Sequence, residues 1–296
     1  MRTPRPLPAE VAPEGFLVRD ALKAGVGSNR LRRRDLVRPT HGVRTADPSM
    51  PLVRAIALVL RTDQYVSHTS ALAVWGAPLP AGAVGGPVHV TTAGTGPVMR
   101  RSDVVGHRRR HGARVTDHGG IRVSEPSQAW SESVPLLSVH GSVAVADHLV
   151  RVGGSLTIDE LSAAIVPGSH GNAIARAVLD LVRVGADSPM ETWLRLAVVD
   201  AGFPEPQLQV EVFDRGGSFL ARVDMAWPEY RIALEYDGAH HRERDRFEHD
   251  QRRDNGLAVN DWLVIHATRA DVARPAVLFE RLRQAFAVRR GVRRVA

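Results

Sequence analysis

The sequence of 296 residues contains no cysteine and a single lysine, Lys23. Without cysteine the chain forms no disulfide and offers no thiolate nucleophile, and any metal ion must be bound by oxygen or imidazole ligands. Aromatic residues make up 5% of the chain, whereas hydrophobic residues as a whole make up 44%. That hydrophobic content suffices for an ordinary core and excludes a wholly disordered protein. The length predicts two domains, and one large domain is the alternative.

The sequence also lacks a long hydrophobic run, because its longest stretches, such as residues 55–60, are far shorter than a membrane span. Residues 1–15 are rich in proline and charge and contain no apolar signal-peptide segment, so we expect a disordered leader there. These absences predict a cytoplasmic protein with no membrane partner.

Positive charge exceeds negative charge, with 39 Lys and Arg against 32 Asp and Glu, a net charge of +7 and a pI near 10.8. Such a balance predicts an anionic partner, which is nucleic acid or a membrane surface. The charges form three blocks: residues 1–186 carry +8, residues 187–273 carry −7 and residues 274–296 carry +6. An acidic centre between basic flanks is suited to hold a cation beside a bound phosphate.

Residues 16–48 have the order of a winged helix-turn-helix, namely helix, glycine turn, helix and hairpin. The Gly25-Val26-Gly27 turn ends the first helix, and Ser28 begins a second helix that continues through the arginines after Leu31. Residues 36–38 and 42–44 predict the hairpin. The second helix would present four arginines to DNA phosphates or the major groove: Arg30, Arg32, Arg33 and Arg34. The alternative is a small helical hairpin with a solvated arginine face.

This segment resembles the N-terminal winged-helix domain of abortive-infection (type IV toxin–antitoxin) antitoxins. The resemblance extends over about 35 residues and lies in Arg19-Asp20-Ala21, the turn at 25–28, Leu31-Arg32 and His41-Gly42-Val43. It implies DNA binding and a regulatory role in transcription.

Residues 49–186 predict a mainly helical connector whose role the sequence does not define. Helical patterns cover 51–61, 67–75, 127–151 and 158–184, and short alternating segments predict strands at 88–91 and 104–107. His68 stands at a helix start and is interpreted as a cap or a core group. His107 and His111 flank three arginines and are interpreted as an exposed basic turn rather than a metal site.

Residues 187–296 predict an α/β domain of the α+β kind, in which a mixed sheet packs against helices. The pattern is a helix from Ser188 to Ala201, strands at 207–213, 220–227 and 231–236, a charged helix at about 242–259, a strand at 262–266 and a closing helix at 275–288. Ser188 and Glu191 fit a capping box with Pro189 at the first helical position, which gives Glu191 a structural interpretation.

Three carboxylates fall on two neighbouring strands of this domain. Asp224 lies on the second strand, and Glu235 and Asp237 lie at the end of the third. Residues two apart on a strand share a face, and pairing as a hairpin would add Asp224 to that face. Neighbouring carboxylates raise one another's pKa unless a cation lies between them, and oxygen ligands favour Mg²⁺ or Mn²⁺ over zinc. Such a site suits phosphodiester hydrolysis, whereas a purely structural set of buried acids is costly.

Residues 187–287 resemble the restriction-endonuclease-like PD-(D/E)XK superfamily, and in particular its very-short-patch-repair-like branch. The residues that carry the resemblance are Glu191, Asp224, Glu235-Tyr236-Asp237-Gly238, His241, Arg253-Asp254 and Trp262. It implies that Asp224 and Glu235 bind the metal, and that Asp237 binds it or orients it through water. Asp237 stands where the superfamily usually has lysine.

The same resemblance implies roles for the remaining residues. His241 or His240 would position or deprotonate the attacking water, or polarise the leaving oxygen. Arg253 would contact a phosphate, and Glu191 would assist from the first helix. The sequence therefore predicts a Mg²⁺-dependent DNA endonuclease or nickase in DNA repair or phage defence. The alternatives are an antitoxin-like DNA-binding transcriptional regulator with an inactive nuclease fold, and RNA as the substrate.

Overall fold

The computed structural model describes residues 6–238 and 244–293, without the side chains of 244–250 and 292–293. The helices are α1 (Val18–Lys23), α2 (Ser28–Leu31), α3 (Leu52–Ala57), α4 (His68–Val74), α5 (Pro126–Ser133), α6 (Val139–Val150), α7 (Ile158–Ala163), α8 (Asn172–Asp180), α9 (Pro189–Asp200), α10 (Arg244–Val259), α11 (Arg269–Ala273) and α12 (Ala276–Arg293). The strands are β1 (Phe16–Leu17), β2 (Val43–Arg44), β3 (Gln64–Val66), β4 (Val88–Ala93), β5 (Val104–Arg109), β6 (Val115–His118), β7 (Ile121–Ser124), β8 (Gln207–Phe213), β9 (Phe219–Trp227), β10 (Ile232–Asp237) and β11 (Leu263–Thr268).

The chain divides into two compact units, and the division differs from the predicted boundaries at 48/49 and 186/187. The first unit comprises Met1–Leu137 and Glu160–Ala175, and the second comprises Ser138–Asp159 and Arg176–Ala296. Helix α6 belongs to the second unit because it packs against α9. Residues 16–48 and most of the predicted connector belong to the same unit.

Residues 6–15 are folded, so the expectation of a disordered leader is wrong for them. Val11 is buried, and Leu7 packs beside it on an apolar cluster with Phe16 and Leu31. The hydroxyl of Thr45 donates a 2.8 Å hydrogen bond to the Glu14 carbonyl. Apolar residues interspersed among the prolines therefore give this segment a buried face. The first five residues of the predicted leader lie outside the described part of the chain.

The two helices within residues 16–48 are shorter than the sequence predicts. Gly25, with a φ of +83°, ends the first helix in a conformation that favours glycine. Helix α2 ends at Leu31, so Arg32 to Arg34 follow it instead of extending it. The expected hairpin is reduced to one bridge between Val37 and Thr45, because β2 pairs with β1 instead.

The predicted connector contains helices α3 to α8 and, in addition, a five-stranded sheet. Its strand order is β5-β4-β3-β7-β6, with β3–β7 and β4–β5 parallel and the other neighbours antiparallel. All three residues of β3 are buried. A short strand buried on both faces has no polar–apolar alternation, which explains why the pattern did not reveal it.

The second unit has three layers, with helices on both faces of a mixed sheet. This arrangement confirms the predicted α/β class with a mixed sheet. The strand order is β11-β10-β9-β8, in which β10 and β11 are parallel and the other pairs antiparallel. One sheet face packs on α9 and α12 through residues such as Leu194 and Leu282, and the other packs on Leu257 of α10. Among the described residues, no helix is long and apolar enough to cross a membrane.

Candidate active site

Asp224 and Glu235 lie opposite each other on neighbouring strands. β9 and β10 form an antiparallel hairpin whose register pairs Leu234 with Met225. The next position places Glu235 across from Asp224, so both carboxylates leave the sheet on the same side. That side faces α10, which supplies Arg253. The hairpin therefore brings together two acids that are eleven positions apart in sequence.

The sheet is irregular at Asp224. Val223 and Met225 are two residues apart, yet they belong to apolar clusters on opposite faces of the sheet. Gln209, which falls across from Asp224 on β8, has a φ of +50°. A left-handed backbone costs a non-glycine residue roughly 1 kcal/mol, so the surrounding structure holds it there. The irregularity places Asp224 on the α10 side of the sheet, with Glu235.

Glu235 is the most buried acid of this face, with 7% of its side chain exposed. One oxygen, Oε2, accepts a hydrogen bond from Nη2 of Arg253. The other, Oε1, is buried and has no hydrogen-bond partner among the described residues. Burial raises the pKa of Glu235, the Arg253 guanidinium opposes that rise, and the Asp224 carboxylate adds to it.

Asp224 and Asp237 are tied to their surroundings in different ways. Asp224 Oδ2 accepts a 2.9 Å hydrogen bond from the backbone N–H of Tyr236, and burial raises the pKa of Asp224. Asp237 Oδ1 lies 3.4 Å from Nδ1 of His266, whose Nε2 lies 3.4 Å from Asp254. His266, in strand β11, thus lies between two acids. No role was predicted for His266, because its partners lie on other elements.

Glu191 serves as a helix cap and also lies near the acids of the sheet. Its N–H donates to Ser188 Oγ at 3.2 Å, and its own carboxylate accepts from the Asp187 N–H at 2.9 Å. Only half of the predicted capping box forms, because the Glu191 carboxylate bonds the Asp187 N–H and not the backbone N–H of the N-cap residue Ser188. Burial raises the pKa of Glu191, and the nearby Asp224 carboxylate raises it further. Glu191 therefore takes part in the start of α9 and lies close enough to Asp224 for their charges to interact.

The described acids do not form a closed metal cage. Within residues 6–238 and 244–293, a set of three side chains with ligand atoms within 4.8 Å of one another occurs at His68, His89 and His107 instead. Arg253 lies 3.2 Å from Asp254 as well as against Glu235. Arg253 bonds Oε2 of Glu235, so Oε1 is the oxygen of this carboxylate that has no partner among the described residues. His240 and His241, expected near this site, lie outside the described residues.

The predicted DNA-binding arginines divide into two groups. Arg30 forms two hydrogen bonds with Asp35, at 3.1 and 2.8 Å, so its guanidinium is held by the protein itself. Arg32, Arg33 and Arg34 are exposed in the turn that follows α2. Arg30 therefore has a structural partner, whereas Arg32, Arg33 and Arg34 are accessible to solvent.

The sequence interpretation missed a histidine cluster in the first unit. The rings of His68 and His107 stack with centroids 3.8 Å apart, and His89 stacks on both. Burial lowers the pKa of His68 to about 2 and that of His107 to about 4. Burial also raises the pKa of Glu132, whose carboxylate lies beside His68, to about 7. No local spacing signals this cluster, since its members lie on separate elements.

The chain is similar in part to two mycobacterial proteins. It is 30% identical over 168 residues to Uncharacterized protein Rv2248 of Mycobacterium tuberculosis H37Rv and, to the same extent, to Uncharacterized protein MT2308 of strain CDC 1551. The alignment covers 56% of this chain and 61% of each relative. The crystal structure of the RV2827C protein from Mycobacterium tuberculosis aligns over 68% of this chain and 79% of that chain, with 17% identity and a TM-score of 0.33, which is too low to establish a shared fold. No family model matches the chain.

Proposed function

We propose that this chain is a metal-dependent DNA endonuclease or nickase whose active site lies on β9, β10 and α10. The observation that carries the proposal is the placement of Asp224 and Glu235 across from each other, with Glu235 Oε1 buried and without a hydrogen-bond partner in the part of the chain that the structure describes. Buried polar atoms in folded proteins ordinarily have a partner, and one without a partner calls for an explanation. A cation between the two acids would supply it, because it offsets both the burial and the mutual repulsion.

The donor set suits a hard divalent cation. The acids on this face offer oxygen ligands, which Mg²⁺ and Mn²⁺ prefer. Asp224 and Glu235 would bind the ion directly. Asp237 would bind it directly or contact it through a coordinated water molecule. When bound, such an ion neutralises the phosphate and lowers the pKa of a coordinated water.

Neighbouring side chains have distinct tasks in this proposal. Arg253 favours the ionised form of Glu235, and its side chain is partly exposed, so it can also contact a DNA phosphate. His266 fixes the Asp237 carboxylate from β11. Glu191 adds negative charge beside Asp224. His241 would position or deprotonate the attacking water, as the sequence resemblance implies.

DNA as the partner rests on the distribution of charge. In the sequence, the basic blocks 1–186 and 274–296 flank the acidic block 187–273. Arg32, Arg33 and Arg34 are exposed. Exposed arginines contribute phosphate contacts that are independent of sequence and sensitive to salt. Because DNA is the proposed substrate, we expect the endonuclease to act in the cytoplasm.

The test incubates supercoiled plasmid with the full chain, with and without Mg²⁺. We expect conversion to open-circular or linear DNA only with Mg²⁺, and its loss in Glu235→Gln. Glu211→Gln is the matched control, because it removes the same charge from an exposed position on β8. Nicking that survives in Glu235→Gln would overturn the assignment. A single-stranded RNA of similar length in a parallel reaction tests the RNA alternative.

The second candidate is an antitoxin-like transcriptional regulator in which the nuclease fold is inactive. It is favoured by the exposed Arg32 to Arg34, which can bind DNA without any catalytic centre. This candidate predicts no plasmid nicking with Mg²⁺ or Mn²⁺. It also predicts salt-sensitive duplex binding that disappears when the three arginines are replaced by alanine.

A further inference from the structure

The histidine cluster of the first unit converges from three separate elements. His68 begins α4, whereas His89 and His107 lie on the parallel neighbours β4 and β5. The register pairs His89 with Val105 and His107 with Thr91, so the two strand histidines lie diagonally on one face. Three histidines that are distant in sequence thus each place one ring nitrogen within 4.8 Å of the ring nitrogens of the other two.

The facing nitrogens are spaced almost as a bound metal would space them. Nδ1 of His89 and Nε2 of His107 are 2.9 Å apart. Two imidazole nitrogens bound tetrahedrally to Zn²⁺ at about 2.0–2.1 Å are separated by about 3.3 Å. The pair therefore needs to open by only a few tenths of an ångström. The stacked ring of His68 must also turn about its side-chain torsions to direct a nitrogen at the same point.

His68 is held in place by its backbone and by two neighbouring side chains. Its φ of +53° is a left-handed conformation that non-glycine residues adopt at a cost, and such residues concentrate at functional sites. Nδ1 of His68 lies 2.9 Å from Ser67 Oγ and 3.8 Å from Glu132 Oε2. A hydroxyl or carboxylate at one imidazole nitrogen is the arrangement that orients the other nitrogen toward a metal.

We propose that His68, His89 and His107 form a binding site for a first-row transition-metal dication of the Zn²⁺ class. His68 Nε2, His89 Nδ1 and His107 Nε2 are the ligand atoms, and Glu132 and Ser67 orient His68 from its Nδ1 side. Imidazole ligands suit Zn²⁺ and its neighbours in the series, whereas Mg²⁺ prefers oxygen. The site is independent of the proposed carboxylate centre in its residues and in its metal.

A metal requires neutral imidazoles, and the proton shared between His89 Nδ1 and His107 Nε2 must move to another ring nitrogen before both can bind it. Burial keeps His68 and His107 neutral near pH 7, because it lowers the pKa of each, and only a neutral imidazole has a free lone pair to donate. Glu132 also contacts Arg109 at 3.4 Å, so the carboxylate has a cationic partner of its own. Three protein ligands leave a fourth position of a tetrahedral ion open, the pattern of zinc sites that bind water or a small anion.

The test uses the full chain after chelator treatment and dialysis. Zn²⁺ is titrated against a chromophoric chelator, and Co²⁺ is added in place of Zn²⁺ to record its visible ligand-field absorption. We expect one tight Zn²⁺ site per chain and an intense Co²⁺ band of tetrahedral type. Affinity should fall more than about tenfold in His89→Gln and in His107→Gln. His111→Gln is the matched control, because it removes an exposed histidine from the same unit.

Two measurements keep the outcome independent of folding defects and of the carboxylate site. Zinc-edge X-ray absorption of the wild-type chain should show imidazole nitrogens at about 2.0–2.1 Å. Glu235→Gln should bind Zn²⁺ as tightly as the wild type does. An all-oxygen zinc shell in the folded wild type, the absence of a Co²⁺ band, or unchanged affinity in both histidine variants would each overturn the proposal.

Discussion

The carboxylate of Asp224 accepts a hydrogen bond from the backbone N–H of Tyr236 across 2.9 Å. This bond joins β9 to β10 beyond the last paired residues of the hairpin, Leu234 and Met225. Asp224 therefore stabilises the strand end that carries Glu235 and Asp237, in addition to the ligand role proposed for it. The two roles respond differently to substitution.

Asp224→Asn and Asp224→Ala separate these roles. An asparagine oxygen can still accept from Tyr236, so we expect Asp224→Asn to keep the free energy of unfolding within about 0.5 kcal/mol of the wild type. Asp224→Ala removes the acceptor and should cost about 1–3 kcal/mol. Both variants should abolish Mg²⁺-dependent nicking. Urea unfolding and the plasmid reaction measure the two effects, and nicking by a well-folded Asp224→Asn would contradict the ligand role.

The buried ion pair between α6 and α9 predicts a large decrease in stability on substitution. Arg195 and Asp147 are 2.9 Å apart, and their side chains are 2% and 0% exposed. Arg195→Met leaves Asp147 buried without its cationic partner, so we expect a decrease of about 3–5 kcal/mol in the free energy of unfolding, measured in urea.

Arg222→Met is the control for this ion pair. Arg222 and Asp187 are 3.6 Å apart at an exposed position, with 59% and 52% of their side chains exposed. Exposed pairs contribute about 0–1 kcal/mol. Equal decreases in Arg195→Met and Arg222→Met would contradict the structural role of the buried pair.

The arginines near α2 should affect DNA binding unequally. Replacing Arg32, Arg33 and Arg34 by alanine should weaken duplex binding and reduce the slope of log affinity against log salt by about 0.9 for each phosphate that is no longer neutralised. Arg30→Ala should change that slope little, because its guanidinium bonds Asp35. Fluorescence anisotropy at several salt concentrations measures both. A larger slope change in Arg30→Ala than in the triple variant would reverse this assignment.

Acidification should destabilise the chain partly through His148. This half-buried residue of α6 lies against Arg151, and burial followed by the Arg151 charge lowers its pKa. The unfolded chain takes up a proton near pH 6.5, whereas the folded chain does so only at lower pH. Stability from this group is therefore complete above pH 6.5 and declines as the pH falls below it.

His148→Gln should accordingly show a shallower decline of unfolding free energy than the wild type between pH 7 and pH 5. Urea unfolding at several pH values measures the difference, with His111→Gln as a control at an exposed position. If the unfolding free energy of His148→Gln falls with pH as steeply as that of the wild type, His148 does not cause this pH dependence.

Periodic and local signals made part of this structure predictable. The N-cap at Ser188 follows from its spacing of three residues to Glu191, and the structure forms it, since the Ser188 hydroxyl accepts from the Glu191 N–H. The strands around Asp224 and Glu235 are long enough to show their pattern, and a hairpin across a short turn sets which residues lie opposite each other. Sequence reasoning works here because the interacting residues are close in the chain.

Contacts between distant residues were not predictable in this way. Arg253 was expected at a phosphate, and the structure pairs it with Glu235, because the packing of α10 on the sheet decides its partner. The histidine cluster depends on the parallel pairing of β4 with β5 and on the backbone of His68. Neither feature affects residue spacing, so the sequence predicts a cap or a core group at His68 and an exposed turn at His107.

The second unit is discontinuous in sequence, which affects how this protein can be divided. Residues 160–175 belong to the first unit and separate α6 from the rest of the second. A recombinant fragment that begins at residue 187, where the composition changes, omits Asp147 and leaves Arg195 without that carboxylate. Residues 187–296 are therefore not a complete folding unit, and a fragment for expression or gene fusion should start before Ser138.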